Sequence, residues 1–560
     1  MERYQNVKLI QNYRIDFIVL ILFLLFGGFL RLWNLSVPSF WVDEVNTVFA
    51  ADSLTKTGSP TLPSGMIYDR AFLHTYTVAL FYHFFGVSET TTRLPSAIFG
   101  LFSIIMAYFV GREIFSRKVG LLSAFFVTFS HFEVGWSRTA RMYILLQFIV
   151  LFIVYCFVKG FENKKWERRK TQLPEERLTF FTKIGSFLKM NGLSIPWLLV
   201  CLILIWISTF YVHLLTLFLL FGILLYLFSM ALVTLFREEG IRKILNKYVI
   251  TSLFGVLVAI GMWIFLPKLR EMTRYFLSYT PPWAAGPSSA QRKLRLFEFL
   301  ISPDRFPFAA FFFLGGVQII TRRNKLGWIL LWEFIAPLFL LTFIFTHRVP
   351  TYLFYVYPFF LMIAAFSFVN LLESETSIMA KDSFLRHKLI KGGLLSLFFL
   401  IFILSPWFRI TLHIPFFGDG VTNMAVTPDE WKEATRIVRK RVKDGDLIIS
   451  SLPQVALYYK VHSDYGLNWS NLKQAKEKEF RNKDGRWVDV YAGVKCIESL
   501  NELKSLLKTY PRGWLLVTKY HLEHVIITPP EVRKFIEENL GKPYKTKRGT
   551  VLIYHWNNLS

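Results

Sequence analysis

Eleven apolar stretches, each long enough to cross a bilayer as a helix, recur along this chain and leave few folds open to it. They run near 16–33, 94–111, 119–135, 140–158, 195–210, 212–236, 248–267, 305–320, 326–346, 351–372 and 392–410. Backbone in lipid must satisfy its own polar groups, so these stretches predict a polytopic α-helical membrane protein of about eleven spans. The first stretch is too long for a signal peptide and has no small-residue cleavage site, so it is expected to be retained. Over half the residues are hydrophobic and 58 are Phe. That is too many for a soluble globule but normal for a lipid-facing bundle.

The net charge of +26 raises nucleic acid as a partner, but the distribution excludes it. The cations fall in short segments between spans: Arg112 with Arg117-Lys118, Lys164 to Lys170, Arg237 to Lys247, Arg322-Arg323, and Lys381 to Lys391. Placing these and the N-terminal Arg3, Lys8 and Arg14 in the cytoplasm satisfies the positive-inside rule. The C-terminal part then lies outside, which predicts a multi-pass protein of the cell membrane with a cytoplasmic N-terminus. Ala71 to Gly86 is apolar but short, and carries His74, Thr75, Thr77 and His83. It reads as a helix lying in the outer interface rather than a span. The loop Lys268 to Asp304 is the exception, an outer segment that is basic, which suits an anionic ligand. Cys156, Cys201 and Cys496 offer neither a disulfide framework nor metal spacing.

Past residue 410 the pattern changes to short amphipathic helices and strands, so residues 1–410 read as a membrane module and 411–560 as a soluble extracytoplasmic α/β domain. Thr427-Pro428-Asp429-Glu430 reads as a helix start, with threonine as cap and glutamate three residues on. Trp431, Ala434, Ile437, Val438 and Val442 then share a helical face. Strands are expected near 447–449, 514–518 and 551–554, and helices near 497–507 and 531–540.

Chemistry-bearing residues gather in the outer segments. Asp43-Glu44 follows the first span, Tyr68-Asp69-Arg70 ends the same loop, and Ser137-Arg-Thr-Ala-Arg-Met-Tyr143 opens the fourth span. A carboxylate beside arginines at a membrane surface suits reaction on a lipid-linked phosphate. Guanidinium grips phosphate oxygens in bidentate fashion, and a carboxylate can accept a proton from an attacking hydroxyl or amine. Each cluster has a plainer reading: a charge pair favoured at a helix N-terminus for Asp43-Glu44, interfacial anchors for Arg138 and Arg141, and a local ion pair for Asp69-Arg70. The acidic pair allows a divalent cation without indicating one.

Arg31-Leu-Trp-Asn-Leu through Phe40-Trp-Val-Asp-Glu-Val resembles the first loop of GT-C glycosyltransferases of the protein O-mannosyltransferase type, glycosyltransferase family 39 and its relatives. So do Thr92-Arg-Leu-Pro-Ser-Ala-Ile-Phe-Gly and Gly111-Arg-Glu-Ile-Phe-Ser-Arg-Lys-Val-Gly. Ser137 to Tyr143 is similar to the family's S-x-x-A-R-M-Y element, and Tyr211-Val-His213 to its Y-x-H. The resemblance implies an integral membrane enzyme that takes a sugar from a polyprenyl phosphate and transfers it, with inversion, to a protein, lipid or glycan. It implies Asp43 as the catalytic or acceptor-orienting aspartate with Glu44 as its companion. Arg141 and Tyr143 match positions near the donor, and Arg348 with Tyr352 approximates the family's Arg-Tyr pair. Arg70, Arg138, Asp69 and His213 complete the expected substrate-binding set. A transporter or flippase of lipid-linked sugars is the alternative, though half-repeats and broken helices expected of one are not evident. A scaffolding protein would leave the carboxylate–arginine grouping unexplained.

Overall fold

The computed structural model describes residues 2–557 except 163–192, 238–245, 279–295, 299, 303–304, 346–348, 379–391, 394–395, 397–398, 401 and 418–428. Its first helices are α1 (Glu2–Leu32), α2 (Val42–Thr57), α3 (Phe72–Phe85), α4 (Glu89–Ile114), α5 (Arg117–Phe129), α6 (His131–Ser137) and α7 (Tyr143–Phe161). Among the described residues, eight helices are long and apolar enough to cross a membrane. They are Arg14–Leu32, Glu89–Ile114, Tyr143–Phe161, Ile195–Val212, Thr216–Phe236, Lys247–Phe265, Gly327–Ile344 and Pro350–Glu373. Three of the eleven expected spans differ. The third is the pair α5 and α6, bent by 61°; the one near 305–320 is a shorter apolar helix, Phe306–Thr321; the one near 392–410 falls partly outside the described residues.

Contacts divide the chain into two compact units. The first comprises 1–33, 97–137 and 142–414, and the second 34–96, 138–141 and 415–560. The outer loop after the first span therefore clusters with the C-terminal segment, whereas the sequence groups it with the membrane module.

In the first unit, the bend between α5 and α6 has a specific cause. Ser130 is extended, with φ −75° and ψ 121°, so the last carbonyls of α5 lose their helical donors. Buried Arg31 replaces them, donating to the carbonyls of Val127 at 3.0 Å and Thr128 at 3.2 Å. Its Nε reaches Ser137 Oγ at 3.1 Å, tying both arms of the bend together. A cation at a helix C-terminus also complements the dipole. The same unit buries Asp16 between Tyr108 (2.7 Å) and Arg117 (2.5 Å), so this span-entry charge is paired.

The second unit is an α/β fold around a six-stranded sheet. Its strands are β1 (Leu447–Ser450), β2 (Tyr465–Gly466), β3 (Lys495–Cys496), β4 (Arg512–Thr518), β5 (Tyr544–Lys545) and β6 (Val551–Asn557), ordered β3-β2-β1-β4-β6-β5. The first four are parallel; β6 runs antiparallel to β4, and β5 to β6. The expected face of Trp431, Ala434 and Val438 is buried. The helix nevertheless starts at Trp431, and Glu430 is not its third residue. The Glu430 carboxylate accepts the Arg548 N–H at 2.8 Å instead; Thr427 and Pro428 lie outside the described residues.

The core against this helix includes Phe40, Val45 and Val48 from the first loop, with Leu452, Val455 and Ile553. At about 1.5–3 kcal/mol per buried large apolar side chain, these contacts hold α2 firmly to the α/β domain. The central pair of strands is equally close: a Cβ on Gly513 would stand 2.5 Å from the Leu447 carbonyl oxygen and inside the Trp556 ring. Gly513→Ala is therefore expected to cost about 1–3 kcal/mol, read as a lowered thermal melt of the protein in detergent.

Candidate active site

The site is built at the N-terminus of α2. Residues 38–40 lead in without helical structure, and Trp41 stands at the cap with extended backbone, φ −75° and ψ 155°. Asp43 and Glu44 occupy the first turn, where the dipole favours carboxylates. Successive helical residues diverge by about 100°, and the two acids have different surroundings. The Asp43 side chain is 34% exposed and the Glu44 side chain 3%.

Glu44 is fully engaged. Its Oε1 accepts from Arg93 Nε at 2.8 Å and from the Ala140 N–H at 2.8 Å. Its Oε2 accepts from Arg93 Nη2 at 2.8 Å and the Trp41 N–H at 3.0 Å. Four donors fill the four lone-pair directions of a carboxylate. Arg93 is equally committed, because its remaining hydrogens go to the carbonyls of Leu35, Pro38 and Ser39 at 2.9, 2.9 and 3.0 Å. The Phe40 ring lies 4.7 Å from the guanidinium carbon. The pair thus ties together loop 35–41, the start of α2 and residue 140. The expectation that Glu44 shares the chemistry meets this obstacle: no lone pair is left for a substrate.

Residues 138–141, expected to open the fourth span, instead form a turn before α7 begins at Tyr143. The turn is held by Ala140 on Glu44 and by Arg138, whose Nη2 donates to the Asn34 carbonyl at 3.1 Å. It delivers Arg141, 5% exposed, to Asp43, with Nη2 3.3 Å from Oδ2. Arg141 Nη1 donates to the Tyr68 hydroxyl at 2.9 Å. Arg70 sits just before a left-handed kink at Ala71 (φ 51°) and reaches solvent. Burial opposes its charge. Tyr491, then Tyr68 and Asp43, outweigh that and hold its guanidinium above its ordinary range, while Arg141 acts the other way.

The local field is positive. His74, buried on α3 with Nε2 3.2 Å from Ser96 Oγ, is pushed down to about 3 by burial and then by the charge of Arg141. With Glu44 and Arg93 cancelling, two guanidiniums (Arg70 and Arg141) stand against the one carboxylate of Asp43. The balance is positive, which suits a phosphodiester monoanion.

Five of the expected residues lie together here: Asp43, Glu44, Arg70, Arg138 and Arg141. Asp69, in the same loop, is exposed. Tyr143 and His213 belong to the first unit, where they form a ring cluster with Tyr352: the centroids are 5.9 Å apart for Tyr143–His213, 6.1 Å for His213–Tyr352 and 6.5 Å for Tyr143–Tyr352. The His213 Nδ1 accepts the Leu215 N–H at 3.1 Å. Arg348 lies outside the described residues. Among the described residues, no group of three or more His, Cys, Asp or Glu is placed to hold a metal ion. Sequence reasoning missed Arg93, Tyr68 and Tyr491 as site residues. Arg93 stands in the Thr92–Gly100 run, and Tyr68 beside Asp69-Arg70, so both were in view as motif residues.

The fold, helices long and apolar enough to cross a membrane with a sheet-containing C-terminal domain, is shared with solved structures. Residues 69–221 match the family described as dolichyl-phosphate-mannose-protein mannosyltransferase. Among solved structures, ArnT from Cupriavidus metallidurans aligns at 13% identity over 99% of this chain and 98% of its own, with a TM-score of 0.51. The same protein bound to undecaprenyl phosphate aligns at 14% identity over 98% and 97%, TM-score 0.51. The oligosaccharyltransferase AglB from Archaeoglobus fulgidus, in complex with an inhibitory peptide and a dolichol-phosphate, aligns at 12% identity over 96% of this chain and 74% of that one, TM-score 0.52. By sequence alone, no curated protein matches the chain.

Proposed function

We propose that the protein is a membrane glycosyltransferase that moves a sugar from a polyprenyl phosphate to an extracytoplasmic protein, lipid or glycan. The carrying observation is the Asp43–Arg141 pair, a solvent-reaching carboxylate 3.3 Å from a guanidinium that is itself fixed by Tyr68. The family match over residues 69–221 and the lipid phosphates bound by the two similar structures support this reading.

In this mechanism Asp43 accepts the proton of the acceptor hydroxyl or amine as its heteroatom attacks the anomeric carbon. The bond from that carbon to the phosphate oxygen breaks on the opposite face, which inverts the centre. Its electron pair leaves with the polyprenyl phosphate, whose charge grows from one negative to two. Arg141 and Arg70 stabilise that growing charge, and because Arg141 is fixed in advance the reaction requires no reorganisation there. Glu44, with Arg93, acts as a positioning residue that sets Arg141 against Asp43. The sugar is a hexose or pentose, and the membrane is the cell membrane, with the N-terminus cytoplasmic and the C-terminal domain outside.

The direct test incubates purified protein in detergent with undecaprenyl-phosphate mannose and an extract of envelope acceptors, and measures free undecaprenyl phosphate. A transferase releases it, whereas a flippase leaves the sugar–phosphate bond intact. Arg141→Gln keeps the hydrogen-bonding shape in part but loses the charge. It is expected to lower kcat/KM about 10²–10³-fold, the usual loss for one preorganised donor at a developing anion. Activity within threefold of wild type would remove Arg141 from the site.

A further inference from the structure

The first-loop site is joined by a residue more than 400 positions away, Tyr491, which none of the motifs includes. It sits on a tight turn that the sequence Asp489-Val-Tyr-Ala-Gly493 builds for itself. The buried Asp489 carboxylate accepts the N–H groups of Tyr491 at 2.9 Å and Ala492 at 2.7 Å. Its other oxygen accepts from Asn471 Nδ2 at 2.6 Å. Gly493 closes the turn at φ 74°, a backbone conformation that favours glycine.

This turn docks on the first loop within the same unit. Ser64 Oγ donates to the Val490 carbonyl at 2.6 Å, and the Ser64 N–H to the Tyr491 carbonyl at 3.2 Å. The half-buried Tyr491 ring packs on the cluster of Ala50, Leu62 and Tyr68, which also contains the phenol that holds Arg141. Tyr491 stands, with Tyr68 and Asp43, among the groups close enough to Arg70 to act on its guanidinium. Burial pushes the Tyr491 phenol up to about 12 despite the opposing charge of Arg70, so it is neutral at working pH. Its hydroxyl donates to Gln474 Oε1 at 3.2 Å. With its one hydrogen directed there, the phenol oxygen can only accept from a ligand.

We propose that Tyr491 is a sugar-positioning residue of the C-terminal domain: its phenol oxygen accepts a hydroxyl of the sugar whose phosphate Arg70 and Arg141 hold. This rests on the donor assignment above. The geometry favours the sugar because a group flanking the phosphate-binding guanidiniums reaches the substituent carried by that phosphate. It also gives the C-terminal domain a direct part in choosing the donor, since the 489–493 turn and Gln474 both belong to it.

The test measures binding of two probes, undecaprenyl phosphate and undecaprenyl-phosphate mannose, to purified full-length protein in detergent. Tyr491→Phe keeps the ring and its packing, and Tyr491→Ala removes both. Loss of one hydrogen bond predicts that Tyr491→Phe raises Kd for the mannosyl lipid about three- to tenfold. Its Kd for undecaprenyl phosphate should stay within twofold, and Tyr491→Ala should show the larger change of the same kind. Equal weakening for both lipids, or no change for either, overturns the assignment. So does wild-type protein that binds undecaprenyl phosphate but not its mannosyl ester. Wild-type protein that binds neither lipid overturns the donor reading itself, and this assignment with it.

Discussion

Asp43→Asn is expected to lower transfer about 10²–10⁴-fold, the range a positioned general base contributes, while leaving folding and membrane insertion unchanged. The substitution is nearly isosteric, and the side chain it alters is 34% exposed, so no buried packing is lost. Arg141 remains anchored by the Tyr68 hydroxyl at 2.9 Å, and its turn by Ala140 on Glu44, so the amide inherits an intact site. What disappears is the capacity to take up a proton. Donor binding should therefore survive in the variant or improve, because Arg141 no longer divides its charge between Asp43 and the lipid phosphate. A purified Asp43→Asn protein that releases undecaprenyl phosphate at the wild-type rate, with acceptor present, excludes Asp43 as the base. A variant that has lost both activity and undecaprenyl phosphate binding would instead assign Asp43 to donor recognition.

The comparison of sequence with structure turns on the range of each interaction. Asp43 stands out in the sequence as a candidate because an acid beside tryptophan just past a span has few ordinary reasons to be there. The divergent fate of Glu44 was not, since adjacency in sequence hides a turn of about 100° around the helix. Glu44 meets Arg93 at 49 positions' remove and the Ala140 N–H at 96, and no local pattern reports such closures. The bend at Ser130 was hidden in the same way. Neither proline nor glycine marks the break, and the side chain that stabilises it, Arg31, comes from another helix about a hundred residues earlier. In the C-terminal domain, β4 and β6 are seven residues each and were visible as apolar runs. By contrast, β2 and β3 are two residues each, too short to carry a period. The attachment of the first loop to that domain through Phe40, Val45 and Val48 is a tertiary fact. In the proposed mechanism it joins the two parts of the site, because the helix that presents Asp43 is held by the core of the domain that carries Tyr491.

Glu44→Gln is expected to destabilise the protein by roughly 3–5 kcal/mol, the cost of leaving a buried ion-pair partner uncompensated. Arg93 is 2% exposed, and its five hydrogens are directed at fixed acceptors. A glutamine turns an NH₂ group toward at least two of the four donors that now meet the carboxylate, so charge and hydrogen bonding fail together. The thermal melt in detergent should fall sharply, and transfer should fall with it, because Ala140 and the Arg141 turn lose their anchor. The double variant Glu44→Leu with Arg93→Met separates the two effects. Apolar replacement of a buried pair often restores stability, so the melt should recover in part, held below wild type by the Trp41 and Ala140 N–H groups that Glu44 no longer accepts. Activity should not, since nothing then holds loop 35–41 and residue 140 in register with Asp43. A Glu44→Gln protein with a wild-type melt and no activity would contradict this account and return Glu44 to the chemistry of transfer.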